Sequence, residues 1–377
     1  MVFLNRVHFA AGALAELAAE LALAGIARPL VVTDRGVIAA GLLDRLCAAL
    51  PPGMAVAVFD ATPPNPTEAA VRAATSAYHG HGADGLIGLG GGSPLDLAKA
   101  VALAATHPAP SLAPYAVVEG GLARITAAAA PMVAAPTTAG TGSEVSRGAL
   151  IVLDDGRKLS IGSPHLIPRA AICDPALTVT MPPWLTAATG MDALAHCIEA
   201  LCSPRPNPIA DAIALDGLRR GWQALPRAVA DGGDAAARAA MMLASIEGAL
   251  AFQKGLGAVH ALSHALGALP ACPHHGTLNA LLLPGVLRFN APALGGVLPR
   301  LAEAMGVADV AAAIAAANAR LALPATLAAL GIEAALLPAM AAAAMRDHHH
   351  LTNPRRATEA DYLRLLRDAH GTGAPSA

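Results

Sequence analysis

Short apolar runs alternate with amphipathic stretches through the first half of the chain. Residues 30–33, 55–59, 85–89 and 132–135 have the pattern of buried strands, and 36–50 and 67–80 have helical spacing. Strand alternating with helix predicts βαβ units and a parallel sheet. Pro63-Pro64-Asn65-Pro66 is a stiff turn, after which Thr67 is placed to cap the next helix. Beyond about Pro182 the pattern becomes a succession of Ala/Leu-rich helical segments without a convincing strand. Proline and glycine punctuate it at 203–208, Pro226, 231–233, 270–273, Pro284 and Pro292. The chain is therefore expected to divide into an α/β domain with a parallel sheet, 1–180, and an all-helical domain, 181–377.

Composition narrows the function. With 55% hydrophobic and only 14% charged residues the chain is expected to fold. A net charge of -2, no basic run and 3% aromatics argue against a nucleic-acid partner. No stretch reads as an uninterrupted membrane span, and the N-terminus lacks the order of a signal peptide. Five cysteines, at 47, 173, 197, 202 and 272, form no CxxC pair. A disulfide framework is not expected, and a cytoplasmic location is. His348–His350 resembles a tag but is followed by a capped helix pattern, so it is read as native sequence.

Four motifs carry chemistry. GLGGGSPLDLAKA, residues 88–100, follows an apolar run, and a glycine turn opening a helix offers bare N–H groups to a pyrophosphate. It is neither a GxGxxG fingerprint nor a Walker loop, and as a mere connection it would look similar. PTTAGTGSEVSRG, 136–148, interleaves Thr137, Thr138, Thr141 and Ser143 with glycines, which suits hydrogen bonding to a ribose, phosphate or amide; a plain polar loop is the alternative. TGMDALAHCIEA, 189–200, sets Asp192 and His196 four apart on one helix face, as a metal half-site or an Asp–His couple. His260, His264, His274 and His275 then fall in one apolar segment. Four separate buried polar solutions there are less economical than one metal centre with Asp192 and His196. No HExxH occurs, so a zincin protease is not indicated.

Together these motifs resemble the iron-containing (group III) alcohol dehydrogenases over nearly the whole chain. RGALIVLDDGRKL, AFQKGLGAVH and TNPRRATEADY are most similar to the 4-hydroxybutyrate dehydrogenases of bacteria within that family. The resemblance implies an NAD-binding first domain, a metal-binding and substrate-binding second domain, and an active site between them. It implies Asp192, His196, His260 and His275 as ligands for Fe2+ or Zn2+, and His264 as the proton relay. Asp34 falls on the position that contacts the adenine ribose. Asn65, Gly91, Gly92, Ser93, Thr137, Thr138, Thr141 and Lys158 fall on the other cofactor contacts. The chain reads Pro273-His274-His275-Gly276 where many relatives have one histidine. Counting forward from His260 selects His274; counting back from the following helix selects His275, which is preferred because a ligand fixed to a helix start survives a loop insertion.

The activity implied is reversible hydride transfer between NAD(H) and a short-chain primary alcohol or aldehyde, with 4-hydroxybutyrate and succinate semialdehyde as the expected pair and a homodimer as the expected assembly. Lactaldehyde, propanediol or maleylacetate are alternative substrates, and a dehydroquinate-synthase-like lyase or a non-catalytic binding module the other classes. Lys254, six residues before His260 and roughly 9 Å along a continuous helix, is the expected partner of the substrate carboxylate, with Arg147 second.

Overall fold

A computed structural model describes residues 5–269 and 273–372. The chain forms two compact units, Met1–Thr180 and Met181–Ala377. The first contains β1 (Arg6–Phe9), α1 (Leu17–Ala24), β2 (Pro29–Val32), α2 (Arg35–Ala39), α3 (Leu42–Ala48), β3 (Ala57–Phe59), α4 (Glu68–His81), β4 (Gly85–Gly90) and α5 (Gly92–Ala104). It continues through β5 (Met132–Pro136), β6 (Gly148–Val152), β7 (Lys158–Gly162) and β8 (Ala170–Cys173).

Six of these strands make one sheet in the order β1-β8-β5-β4-β2-β3, every pairing parallel. β2, β4, β5 and β8 are buried at every position, as a sheet covered on both faces requires. Alternate residues face opposite ways: Leu30, Leu86 and Met132 join a core with Val71 and Leu95, while Val31, Ile87 and Val133 join another with Leu17 and Leu46.

The four expected strands coincide with β2 to β5. β1 and β8 were not legible, because RVHF is polar and partly exposed and AAIC lacks branched bulk. The antiparallel hairpin β6–β7 was also missed, although Asp154-Asp155-Gly156, with Gly156 at φ 83°, is a turn signal. Residues 36–50 form two helices rather than one, since Gly41 adopts the left-handed conformation, φ 73°, between them. Thr67 does cap α4, its hydroxyl accepting from Ala70 N at 3.2 Å.

The second unit comprises α6 (Pro183–Cys202), α7 (Pro208–Ala230), α8 (Ala235–Ala251), α9 (Ala258–Leu266), α10 (His275–Leu294), α11 (Val297–Met305), α12 (Val310–Arg320), α13 (Leu337–Ala344) and α14 (Glu359–His370). No strand occurs among its described residues. α6 is its central helix, packed against α7, α8 and α10. Pro226, Pro284 and Pro292 do not end helices as expected: α7 and α10 run through them. Each proline removes one backbone hydrogen bond, and buried neighbours such as Leu225, Ala228, Leu283 and Val286 keep the helices docked regardless.

Two stretches, Ala235–Lys254 and Val297–Arg320, are long and apolar enough to cross a membrane by length and composition, each with mean hydropathy 1.3. The first is α8 with its closing turn, packed on α6 and α7. The second is not one helix, because Gly306 at φ 67° parts α11 from α12.

Candidate functional site

Three helices of the second unit bring the expected ligands together. α6 carries Asp192 and His196 one turn apart, α9 carries His260, and His275 is the first residue of α10. The Nε2 atoms of His196, His260 and His275 lie 3.7, 3.8 and 3.7 Å from one atom, Asp192 Oδ1. These distances are too long for hydrogen bonds. Asp192, His196 and His260 each offer a ligand atom within 4.8 Å of the other two, as donors about 2.0–2.2 Å from a shared cation would, and His275 approaches the same carboxylate oxygen. Asp192, His196 and His260 are buried, whereas the His275 side chain is 21% exposed. The donor set of one carboxylate and three imidazoles fits a borderline divalent metal such as iron(II) or zinc. Asn279 reinforces the fit. Its Nδ2 converges on the same point, 2.7 Å from Asp192 Oδ1, 3.2 Å from His260 Nε2 and 3.0 Å from His275 Nε2. Its own Oδ1 is buried without a hydrogen-bond partner, so the acceptors here exceed the donors, as around a cation.

Backbone packing explains the local sequence. A Cβ on Gly276 would stand 2.1 Å from Ala188 O, so only glycine lets the start of α10 approach α6 this closely. His275 thereby faces Asp192, while the His274 ring packs edge-on against Trp184, centroids 6.2 Å apart. The geometry favours His275 over His274 as the fourth ligand.

Glu199 went unnoticed in the sequence. It lies on α6, one turn beyond His196, and its carboxylate accepts from Val259 N at 2.9 Å and His260 Nδ1 at 2.5 Å. The first bond anchors the start of α9; the second fixes the His260 tautomer so that Nε2 faces Asp192. Burial lowers the His260 imidazole pKa, but the Glu199 hydrogen bond and charge, with Asp192, raise it overall. A glutamate seven residues after Asp192 and three after His196, on the same face of one helix, was the available signal.

His264 follows His260 by one turn and is buried. Its Nδ1 lies 2.9 Å from Asp347 Oδ2, and its ring stacks on His275 with centroids 5.4 Å apart. A carboxylate can only accept, so Nδ1 is the donor and the neutral ring keeps Nε2 as an acceptor.

Lys254 does not occupy the expected geometry. It ends a separate turn, Phe252–Lys254, that Gly255 at φ 114° divides from α9, so no continuous helix links it to His260. Its Nζ pairs with Asp211 Oδ1 at 2.6 Å in a buried setting. Arg147 is exposed and makes no ion pair among the described residues.

In the first unit the expected cofactor residues gather at the carboxyl ends of β2, β4 and β5, where open α/β sheets bind dinucleotides. Gly91 and Gly92 open α5, and their missing side chains admit the next loop: a Cβ would meet Thr138 Cγ2 at 3.1 Å and Thr141 Oγ1 at 2.7 Å. Thr137 N donates to Gly90 O at 2.9 Å. Ser93 Oγ donates to Pro64 O, which ties the 63–66 turn to α5, and Lys158 Nζ donates to Asn65 Oδ1 at 2.8 Å. Asp34 follows β2 and caps α2 through Val37 N at 2.9 Å.

Below this surface, Asp96 and Lys99 of α5 brace the threonine loop, a role not anticipated. Lys99 Nζ donates to Ser143 Oγ, Ser146 Oγ and Gly148 O at 2.8, 3.2 and 2.8 Å, and Asp96 accepts from Ser143 Oγ and Leu150 N at 2.6 and 2.8 Å. Burial lowers the Lys99 ammonium to about 8 against the pull of Asp96 and Glu144. The four described cysteines are all free thiols; Cys272 lies outside the described residues.

Comparison with known proteins finds two matching family descriptions. "Iron-containing alcohol dehydrogenase" matches residues 5–175, and "Fe-containing alcohol dehydrogenase family, C-terminal" matches 186–370. The chain is 53% identical to a 4-hydroxybutyrate dehydrogenase of Cupriavidus necator, over 97% of this chain and 98% of that protein. It is 37% identical to a 1,3-propanediol dehydrogenase of Klebsiella pneumoniae, over 97% of both. Among solved structures, a 1,3-propanediol oxidoreductase superposes with a TM-score of 0.91 at 35% identity, covering 98% of this chain and 100% of that one. A sulfoacetaldehyde reductase of Bifidobacterium kashiwanohense in complex with NAD+ superposes with a TM-score of 0.87 at 29% identity, covering 98% of each.

Proposed function

Because the chain belongs to the iron-containing alcohol dehydrogenase family, we propose that it transfers hydride reversibly between NAD(H) and a short-chain primary alcohol, with 4-hydroxybutyrate and succinate semialdehyde as its substrate pair. The observation that carries this reading is the convergence of three imidazole Nε2 atoms on Asp192 Oδ1. The substrate pair rests on the 53% identity to the Cupriavidus protein.

Asp192, His196, His260 and His275 would hold the metal, with Glu199 orienting His260. When bound, the metal supplies Lewis acidity at the substrate oxygen and the nicotinamide a hydride acceptor. This chain's own task is to position and to move a proton. His264, oriented by Asp347, offers Nε2 to the proton released from the alcohol and returns it in the aldehyde direction. Gly91, Gly92 and Ser93 would cradle the pyrophosphate at the α5 N-terminus. Thr137, Thr138 and Thr141 would hydrogen-bond the nicotinamide half, Asn65 and Lys158 the riboses, and Asp34 the adenine ribose. No covalent nucleophile is needed. Free thiols agree with a cytoplasmic enzyme, and a homodimer without a nucleic-acid or membrane partner completes the proposal.

The test measures metal content and NADH formation together, on a panel of short alcohols and semialdehydes. Stoichiometric metal with metal-dependent NADH formation, best on 4-hydroxybutyrate, supports the reading. Substrate consumption without net NADH change would point to the lyase alternative. No turnover in a metal-replete, NAD-binding protein would leave only a binding module.

A further inference from the structure

Beside the proposed catalytic ligands lies a second cluster that the reaction does not use as a ligand set. Asp347 follows α13, and its Oδ1 accepts from His349 N at 2.8 Å, capping the turn His348–Thr352. That cap folds the histidine run back toward α9. Ring centroids of His264 and His349 are 5.3 Å apart, and those of His348 and His349 are 3.9 Å apart. One ligand atom each from His264, Asp347 and His349 lies within 4.8 Å of the other two. His348 Nδ1 stands 3.7 Å from Asp347 Oδ1, at the solvent edge of the group.

Two imidazole nitrogens and a carboxylate oxygen are the donors of a zinc-class site, with an open position for water or a further imidazole. Oxygen-seeking Ca2+ and Mg2+ would find only one carboxylate. We infer that His264, Asp347 and His349 form a second binding site for a divalent transition metal, adjacent to the catalytic one and occupied at elevated metal concentration. Occupation at Nδ1 moves the single proton of the neutral His264 ring to Nε2, so that Nε2 can no longer accept a proton. It also exchanges the hydrogen bond to Asp347 for a metal bond and immobilises the ring proposed to relay the substrate proton. Excess metal therefore inhibits this enzyme through its own side chains. The inference extends the proposed function, since it assigns residues outside the catalytic ligand set.

The experiment titrates the full-length protein, first loaded with one equivalent of zinc, with further Zn2+ by calorimetry and counts bound metal after gel filtration. The expected result is a second, weaker equivalent. In His349→Gln its affinity falls by on the order of tenfold to a hundredfold, while the first equivalent stays. Inhibition of NADH formation by excess Zn2+ should shift by the same factor. Asp192→Asn separates the two readings: it weakens the first equivalent and leaves the second. If His349→Gln does not fold, Asp347→Asn and the wild-type stoichiometry still decide. A single equivalent in the wild type, or a second one indifferent to both variants, would overturn the inference and leave the Asp347–His264 pair as a hydrogen bond alone.

Discussion

Glu199 Oε2 accepts a hydrogen bond from His260 Nδ1 at 2.5 Å, across 61 positions of the chain. The two side chains are on different helices, α6 and α9, and the bond commits His260 to presenting Nε2 toward Asp192. Glu199→Gln keeps the shape but removes the charge and offers no obligatory acceptor. Metal affinity is expected to drop about tenfold to a hundredfold, read by chelator competition, with circular dichroism unchanged. Unaltered affinity would mean that Glu199 only anchors α9.

The paired histidines divide their tasks. His275 Nε2 is 3.7 Å from Asp192 Oδ1, whereas His274 packs on Trp184. His275→Ala should lose bound metal and activity while remaining folded, and His274→Ala should retain both. Elemental analysis of the two purified variants checks this, and the reverse pattern would reassign the ligand to His274.

Asp347→Asn should disturb the orientation of His264, because an amide can donate to Nδ1 and favour the other tautomer. A fall in kcat of tenfold or more is expected, about the scale of positioned proton transfer, with KM for the alcohol little changed. The imidazole 15N spectrum of the zinc form should report the tautomer change. A normal tautomer with normal kcat would remove Asp347 from the mechanism.

NAD(H) should be preferred to NADP(H), since Asp34 stands at the end of β2, where a carboxylate accepts from a ribose and repels a 2′-phosphate. Asp34→Gly should narrow the ratio of kcat/KM between cofactors. Glycine is a tolerable cap, so the loss of the Val37 bond should cost only a few tenths of a kcal/mol. Equal use of both cofactors by the unmodified enzyme would refute the assignment.

The substrate carboxylate is the remaining choice: with Lys254 paired to Asp211, we propose Arg147, the second candidate read from the sequence, for that role. Arg147→Ala should reduce kcat/KM for succinate semialdehyde by about tenfold to a hundredfold, the equivalent of one charge-assisted contact. Uncharged butanal should be indifferent. Lys254→Ala should instead lower Tm and affect both aldehydes alike, because it leaves Asp211 unpaired. Selective loss on the semialdehyde in Lys254→Ala would restore the lysine.

Local spacing determined what can be read along one element. The short continuous apolar runs gave the central strands, and the four-residue intervals put Asp192 beside His196 and His260 beside His264 on single helix faces. The glycine turn 90–92 and the threonine loop were legible because each needs its residue types locally. Resemblance then joined these pieces into one family, as the fold bears out. Tertiary structure alone decided what meets across the chain: Asp192 with Asn279, 87 positions apart, Glu199 with His260, and His264 with Asp347, 83 positions apart. It also turned His275 rather than His274 toward Asp192, through the close approach at Gly276, and gave Lys254 to Asp211. Helical periodicity fixes direction within a helix, whereas partners between helices follow from how their buried faces pack, and that packing has no local period to read.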